Sequence, residues 1–205
     1  MQHFRSLLCI SLLLLSACSS LQPTSPFPSD WSTHQNSILS QPDWRLQGRL
    51  NIRSHDESNT IAINWQQDQQ QFLINLSGTL GLGAVQIRGN EQLVSVEKAG
   101  EEAISANTLE EISSHYLGYE FPTSALYYWV RGIPVPGTDS SKIELDEAQH
   151  LKRLSQQDNQ HNEWQLEYDR YKMVEGVFLP SRIKMQHPAY RLTFIISQWQ
   201  LNSDI

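Results

Sequence analysis

Along most of the chain, hydrophobic residues recur with a period of two, which is typical of β-strands that bury one face. Between residues 44 and 53, for example, Leu46, Leu50 and Ile52 alternate with polar residues. The same alternation predicts further strands near residues 61–65, 72–76, 85–87, 94–96, 151–157, 164–168, 177–179, 182–185 and 191–201. In the last of these the alternation changes phase after Ile196, which predicts a β-bulge. Together the segments predict a large antiparallel sheet with one apolar face.

Three segments depart from this pattern and predict helices. Asp30 is a suitable N-cap for a helix over residues 31–40, which we expect on the outside of the domain because its apolar residues are sparse. Thr108 begins a second helix through a capping box, and Gly118 ends it. A third helix, over residues 124–131, is apolar nearly all round. Helices of this kind against a curled sheet enclose a cavity if they do not fill it.

The start of the chain has the arrangement of a secretory signal. Arg5 precedes an apolar run over residues 7–15, which is too short for a membrane-spanning helix of about 20 residues. Two small residues and then Cys18 follow, and this order resembles the lipobox of bacterial lipoproteins, whose cysteine is lipidated and becomes the mature N-terminus. The alternative is an ordinary signal peptide with an incidental cysteine.

The domain organisation follows from this start. We expect a lipoprotein signal peptide over residues 1–17, a lipidated N-terminus and tether rich in Ser and Pro over residues 18–29, and a single domain over residues 30–205. The other cysteine, Cys9, lies in the signal, so the domain contains no thiol for a disulfide or a metal.

The charge of the chain excludes some classes of partner. Its net charge is −7 at pH 7, which becomes −8 when Arg5 is removed with the signal. Nucleic acids require a basic face, so we expect no nucleic-acid partner. Anionic lipid would not attract the domain either, so attachment to a membrane must depend on acyl chains.

Motifs for catalysis are missing from the sequence. The seven histidines lack the close spacing of a zinc site, and there is no nucleophile elbow or phosphate-binding loop. The glycines at 81 and 83 precede a predicted strand, not a helix that could bind phosphate. We therefore expect a protein that is not an enzyme and that has no metal or cofactor.

One predicted loop has an unusual composition. Residues 77–83 read Ser-Gly-Thr-Leu-Gly-Leu-Gly, so Leu80 and Leu82 lie between flexible glycines where polar residues are usual. Either the two leucines pack back into the core, or they form an exposed apolar finger. Each Leu contributes only about 0.3–0.6 kcal/mol to membrane insertion, so such a finger would touch a membrane without anchoring the protein.

Several short segments occur in a fixed order along the chain. They are Trp-Arg-Leu-Gln-Gly-Arg-Leu at 44–50, Asn-Trp at 64–65, Leu-Gly at 80–81, Tyr-Trp-Val-Arg-Gly-Ile-Pro-Val-Pro-Gly at 128–137, Leu-Pro-Ser-Arg-Ile at 179–183 and Trp-Gln-Leu at 199–201. With the lipobox, this ordered set resembles the LolB family, the outer-membrane lipoprotein receptors of Gram-negative bacteria. The resemblance covers nearly the whole chain after Cys18.

The resemblance implies a fold and a function. The fold is mainly β: an open, unclosed antiparallel β-barrel with helices as a lid over a hydrophobic cavity. The protein would accept lipoproteins from the periplasmic carrier LolA and insert them into the inner leaflet of the outer membrane, as a monomer anchored through Cys18. Ser19 after the cysteine fits outer-membrane sorting.

The resemblance also implies a role for the loop leucines. A protruding leucine of this loop is implicated in membrane insertion in the family, and Leu80 is the matching position. Thr79 replaces a common Pro, and Leu82 replaces a common polar residue, so both leucines remain candidates for the tip.

An apolar cavity for acyl chains makes physical sense, because each CH₂ released into water costs about 0.8 kcal/mol. Cargo should therefore pass directly from one cavity to another. We expect the lining to be the inward-facing residues of the strands and one residue of the lid. These are Ile52, Ile63, Trp65, Phe72, Ile74, Val85, Ile87, Phe194 and Trp129.

Two other functions remain open from the residues alone. One is a lipid-anchored binding module for another amphiphile, and the other is a structural subunit of an outer-membrane assembly with a filled core. The carrier-binding surface is also open, since Arg45, Arg49 and Arg53 on the outward face of one strand could contact a partner or simply be solvated.

Overall fold

Eleven antiparallel strands form one sheet in the computed structural model, which describes residues 30–78, 84–90, 92–117, 122–137, 142–158 and 161–201. The strands are β1 (Trp44–Arg53), β2 (Ser58–Asp68), β3 (Gln71–Gly78), β4 (Ala84–Gly89), β5 (Val94–Lys98), β6 (Ile104–Ala106), β7 (Lys142–Leu145), β8 (Leu151–Gln157), β9 (Glu163–Val174), β10 (Val177–Gln186) and β11 (Arg191–Leu201). Their spatial order is β6-β5-β4-β3-β2-β1-β11-β10-β9-β8-β7. The first and last strands pair at the centre, the two edges stay apart, and the predicted unclosed barrel is confirmed.

The hairpin between β2 and β3 is tighter than the sequence suggests. The predicted strands 61–65 and 72–76 leave residues 66–71 for a loop, but Gln66 pairs with Leu73 and Gln67 with Phe72, and only two residues form the turn. The prediction was wrong because the polar side chains find partners: the Gln67 Oε1 accepts a hydrogen bond of 3.1 Å from the Trp65 indole N–H.

Two further differences concern the second half of the sheet. Strand β10 runs unbroken from Val177 to Gln186, although Pro180 and Ser181 suggested two separate strands. Pro180 is accommodated because this part of β10 pairs with β9 alone: the register with β11 begins only at Arg182, so one edge of the strand needs no N–H donor here. The short edge strands β6 and β7 were not predicted, since neither is long enough to show a period of two.

The predicted bulge in β11 is confirmed. Gln47 pairs with Gln198 but the next residue, Gly48, pairs with Ile196, so Ser197 is the additional residue. A Cβ atom on Gly48 would lie 2.3 Å from the Ile195 carbonyl oxygen, so only glycine allows the two strands to approach this closely. The bulge brings residues on both sides of it to the buried face.

The first helix, α1 (Trp31–Leu39), begins as predicted, with the Asp30 carboxylate accepting a hydrogen bond of 2.8 Å from the Thr33 N–H. We expected this helix to lie on the outside of the domain, and that prediction was wrong. His34 and Ile38 are each 1% exposed, and the helix packs on β10. Two residues four positions apart lie on the same side of a helix and are enough to bury that side. A count of apolar residues does not reveal such a pair.

His34 makes the stability of the protein depend on pH. Burial, and next the nearby His150, lower the pKa of His34 from 6.5 to about 4, while Asp146 raises it. Between these two values the unfolded chain binds more protons than the folded one, so the free energy of unfolding falls as the pH drops from 6.5 to 4. We expect a loss on the order of 2 kcal/mol, measurable by urea unfolding at pH 7 and pH 4.5.

A substitution pair tests this assignment. His34→Phe should remove most of the pH dependence in that range, whereas His55→Phe should not, because the His55 side chain is 97% exposed. An equal pH dependence in wild type and His34→Phe would show that another group is responsible.

Two more helices, α2 (Leu109–Leu117) and α3 (Thr123–Trp129), pack on the apolar face of the sheet, since Ile112, Leu126 and Trp129 belong to the same core as the buried strand residues. The Thr108 hydroxyl accepts a hydrogen bond of 3.3 Å from the Glu111 N–H, which confirms the predicted cap of α2. The third helix ends two residues earlier than expected, before Gly132 with its positive φ of 81°. None of the helices in the described ranges combines the length and apolarity that crossing a membrane requires.

The packed core of the described residues begins at Ile38 and ends at Leu201, with Trp31 packed against it. A form of the protein that starts at Ser19 keeps this entire core, so we expect it to fold on its own. The predictions for the signal peptide, Cys18, the tether and the leucines of residues 79–83 concern residues outside the described ranges.

Candidate functional site

A small apolar cavity lies between the concave face of the sheet and the two covering helices. Its volume is about 70 Å³, and its exposed wall is apolar. Its lining comes from five strands of the central sheet and from both helices. The residues are Leu50, Ile63, Trp65, Ile74, Leu76, Val85, Ile87, Phe194, Leu109, Ile112, Ser113, Thr123 and Leu126. We call α2 and α3 the lid, because their residues form the wall of the cavity that faces the sheet.

Six of the nine residues that we expected to line a cavity meet there. They are Ile63, Trp65, Ile74, Val85, Ile87 and Phe194. Phe72 lies just outside, in the wall of an adjoining cleft that also contacts Trp65. The structure thus brings most of the predicted residues together, because a period of two fixes which face of a strand each residue occupies.

Ile52 and Trp129 do not line this cavity and lie elsewhere in the described structure. Ile52 is packed in the core near the end of β1, opposite Leu192. The Trp129 indole donates a hydrogen bond of 2.8 Å to Gln156, and its ring lies 5.7 Å from that of Trp164. Trp129 therefore fills the core on the β8–β9 side of the sheet.

The apolar residues that line the cavity but were not predicted from the sequence fall into two groups. Leu50 and Leu76 share the parity of predicted neighbours on the same strands, so the alternation could have identified them. The lid residues Leu109, Ile112 and Leu126 depend on how the helices pack on the sheet, and local spacing carries no such information.

The C-terminal end of α3 is firmly attached to the rest of the protein. Besides the Trp129 contact, the Arg131 guanidinium lies 4.1 Å from the centre of the Tyr127 ring and donates 3.4 Å hydrogen bonds to the carbonyls of Ile38 and Gln41. Burial lowers the pKa of Arg131 below its usual value, and the two neighbouring tyrosines oppose this shift. These bonds tie the end of α3 to the end of α1.

The N-terminal end of α3 depends on a side chain from the other lid helix. Pro122 provides no side-chain cap, and the Glu110 carboxylate instead accepts hydrogen bonds of 3.2 and 3.3 Å from the Ser124 N–H and hydroxyl. Carboxylates near a helix N-terminus are stabilising. Because one end of α3 is buried and the other is held by an exposed contact, we expect the lid to open at its N-terminal end.

Glu110→Ala tests this view of the lid. Loss of the cap should cost about 1 kcal/mol and raise the rate at which a hydrophobic dye enters the cavity by about fivefold, as measured by stopped-flow fluorescence. Glu111→Ala is the matched control, since Glu111 is an exposed neighbour on the same helix. Equal entry rates for both variants would contradict the proposed latch.

No group of three or more His, Cys, Asp or Glu side chains is arranged to hold a metal in the ranges that the structure describes. What the site offers is a small apolar space between the sheet and the lid.

Residues 42–199 match the model of a family described as outer membrane lipoprotein LolB. The chain belongs to the LolB family. The LolB of Nitrosococcus oceani is 36% identical over 199 residues, covering 96% of each chain. The LolB of Stutzerimonas stutzeri is 34% identical over 193 residues, covering 92% of this chain and 91% of the relative. The family is not a family of enzymes.

Solved structures share the fold of this LolB family member. A DUF1329 family protein from Desulfovibrio piger has a TM-score of 0.57 at 6% identity, covering 85% of this chain and 92% of that one. A LolA superfamily protein from Nitrosomonas europaea has a TM-score of 0.51 at 10% identity, covering 82% and 93%. At these identities the likeness concerns the fold alone.

Proposed function

We propose that this protein is an outer-membrane receptor that accepts lipoproteins from the carrier LolA and inserts them into the inner leaflet of the outer membrane. The observation that carries the proposal is the apolar cavity under a lid, in a chain of the LolB family. A cavity with an apolar wall suits the acyl chains of a lipoprotein better than it suits a sugar.

Uptake of an acyl chain requires the lid to move. Its volume of about 70 Å³ is far below the roughly 300–1,000 Å³ of pockets that hold small molecules, so a fatty-acid chain needs more room than this cavity has. Burial of each CH₂ contributes about 0.8 kcal/mol, so a C16 chain contributes more than 10 kcal/mol. In a direct transfer, burial in this protein replaces burial in the carrier, so only the difference between the two is available to move α2 and α3.

Delivery needs no chemical energy on this account. Cargo moves downhill if the receptor cavity binds acyl chains more tightly than the carrier does and the membrane binds them more tightly still. The residues Ile63, Trp65, Ile74, Val85, Ile87 and Phe194, with Phe72 at the margin, are the proposed acyl-chain contacts.

Three further features belong to the same proposal. Removal of residues 1–17 leaves Cys18 as a lipidated N-terminus, which anchors a monomer to the periplasmic face of the outer membrane. Residues 18–29 tether the domain to this anchor, and Leu80 and Leu82 contact membrane lipid during insertion. The family resemblance and the sequence of the lipobox support these assignments.

Displacement of a hydrophobic dye tests the cavity. The form that begins at Ser19 should bind a fluorescent hydrophobic dye, and palmitate should displace it in competition. A folded protein that binds neither would contradict the proposal and favour a structural subunit with a filled core.

A further inference from the structure

A second, larger space adjoins the apolar cavity at the N-terminal ends of the lid helices. This cleft has a volume of about 610 Å³. Trp65, Leu109 and Thr123 line both the cleft and the cavity, so the two spaces share a wall. A ligand with a long apolar part and a polar end could therefore occupy both at once.

The cleft differs from the cavity in its chemistry. Aromatic rings, Tyr127 and Tyr128, form part of its wall, whereas uncharged amides surround it, including those of Gln70 and Asn107. An amide side chain offers two N–H donors and one carbonyl acceptor, which suits the carbonyl groups of esters and peptides. A wall that combines aromatic rings with amide groups suits the part of a ligand where apolar and polar groups lie side by side.

The charges of the cleft are one-sided. Among the described residues that line it there is no Lys, Arg or His, and the two ionisable carboxylates are those of Glu110 and Asp158. Both carboxylates have partners within the protein: Glu110 caps α3, and Asp158 accepts a hydrogen bond of 2.9 Å from the Trp164 indole. A phosphate would meet negative charge and no cation among these residues, so the charge of the lining disfavours it.

We propose that the cleft binds the uncharged connector of an acylated protein, while the acyl chains lie in the adjoining cavity. The connector consists of the glyceryl esters, the thioether and amide of the modified cysteine, and the first peptide units. The inference rests on the proposed function and adds selectivity to it. A receptor surrounded by phospholipids remains available for cargo because its cleft rejects the phosphate of an anionic phospholipid.

A charge substitution tests this selectivity. The probes are a neutral triacylated lipopeptide and a phosphatidylglycerol with the same acyl chains, each competing with the hydrophobic dye for the form that begins at Ser19. We expect wild type to bind the lipopeptide at least tenfold more tightly than the phosphatidylglycerol. Gln70→Lys with Asn107→Lys places two cations in the cleft and should reduce that ratio at least tenfold, by strengthening phosphatidylglycerol binding.

Matched controls separate this effect from net charge and from folding. Gln165→Lys with Gln198→Lys adds the same charge at exposed positions on the outer face of the sheet and should leave the ratio unchanged. Thermal unfolding followed by circular dichroism verifies each fold, and Asn107→Lys alone provides a second variant that should shift the ratio in the same direction.

Two results would overturn the inference without affecting the proposed function. In the first, wild type binds phosphatidylglycerol as tightly as the lipopeptide. In the second, the folded cleft variants keep the wild-type ratio. Failure of wild type to bind either probe would instead overturn the proposed function, and the inference with it.

Discussion

Replacing Leu80 and Leu82 with Glu should leave uptake of lipoprotein from the carrier intact and slow its delivery to membranes at least tenfold. Each leucine favours the apolar core of a bilayer by about 0.3–0.6 kcal/mol, whereas a carboxylate such as Asp costs about 2.5–3.5 kcal/mol there. The two substitutions together therefore change the free energy of insertion by more than the 1.4 kcal/mol that a tenfold effect requires, even when the side chains enter only part of the apolar core. The measurement is transfer of labelled lipoprotein to liposomes, with uptake followed separately.

Leu93→Glu is the control for this substitution. Leu93 is 57% exposed and precedes β5, beside the β4–β5 turn. That turn lies at the opposite end of β4 from residues 79–83, because Gly89 pairs with Phe72 while Ala84 pairs with Ser77. Delivery should be normal in this variant. If the double variant loses uptake as much as delivery while it remains folded, the leucines have no specific role at the membrane.

Replacing Ile87 with Trp should lower the affinity for a fatty acid or an acylated protein at least tenfold. Ile87 lines the cavity and is 6% exposed, and a larger side chain there occupies space that an acyl chain needs. Overpacking of this kind costs about 1–3 kcal/mol, less than the roughly 5–15 kcal/mol stability of a typical domain, so we expect the variant to fold. Affinity is measured by dye displacement, and folding by thermal unfolding.

Ile195→Trp is the matched control on the same sheet. Ile195 is 44% exposed and lies on the outer face of β11, between residues that point to the core. Acyl-chain binding should be unchanged by this substitution. Equal loss of binding in both variants, or undiminished binding in Ile87→Trp, would place the acyl chains somewhere other than the cavity.

The sheet could be predicted well from the sequence because its signal is local. Ile63, Trp65 and Ile74 occupy the buried face by alternation alone, and even the bulge at Ser197 appears as a change of phase. The limits of strands were less predictable where polar side chains find partners, as Gln67 does with Trp65.

The lid and the filled part of the core could not be predicted as completely. Trp129 belongs to an apolar helix, but nothing local specifies that its indole bonds to Gln156 on β8 and not to a ligand. The capping of α3 by Glu110 and the burial of His34 similarly depend on residues that are distant in sequence, 14 positions apart in the first case. Long-range packing decides such positions, and it is there that the structure adds most.

The most direct test of the account is transfer of cargo. A purified carrier loaded with labelled lipoprotein is mixed with the form of this protein that begins at Ser19, and the two are then separated. The account predicts that the label moves to this protein and that Ile87→Trp prevents the movement while Ile195→Trp does not. Label that stays with the carrier, in the presence of folded wild-type protein, would contradict the receptor function.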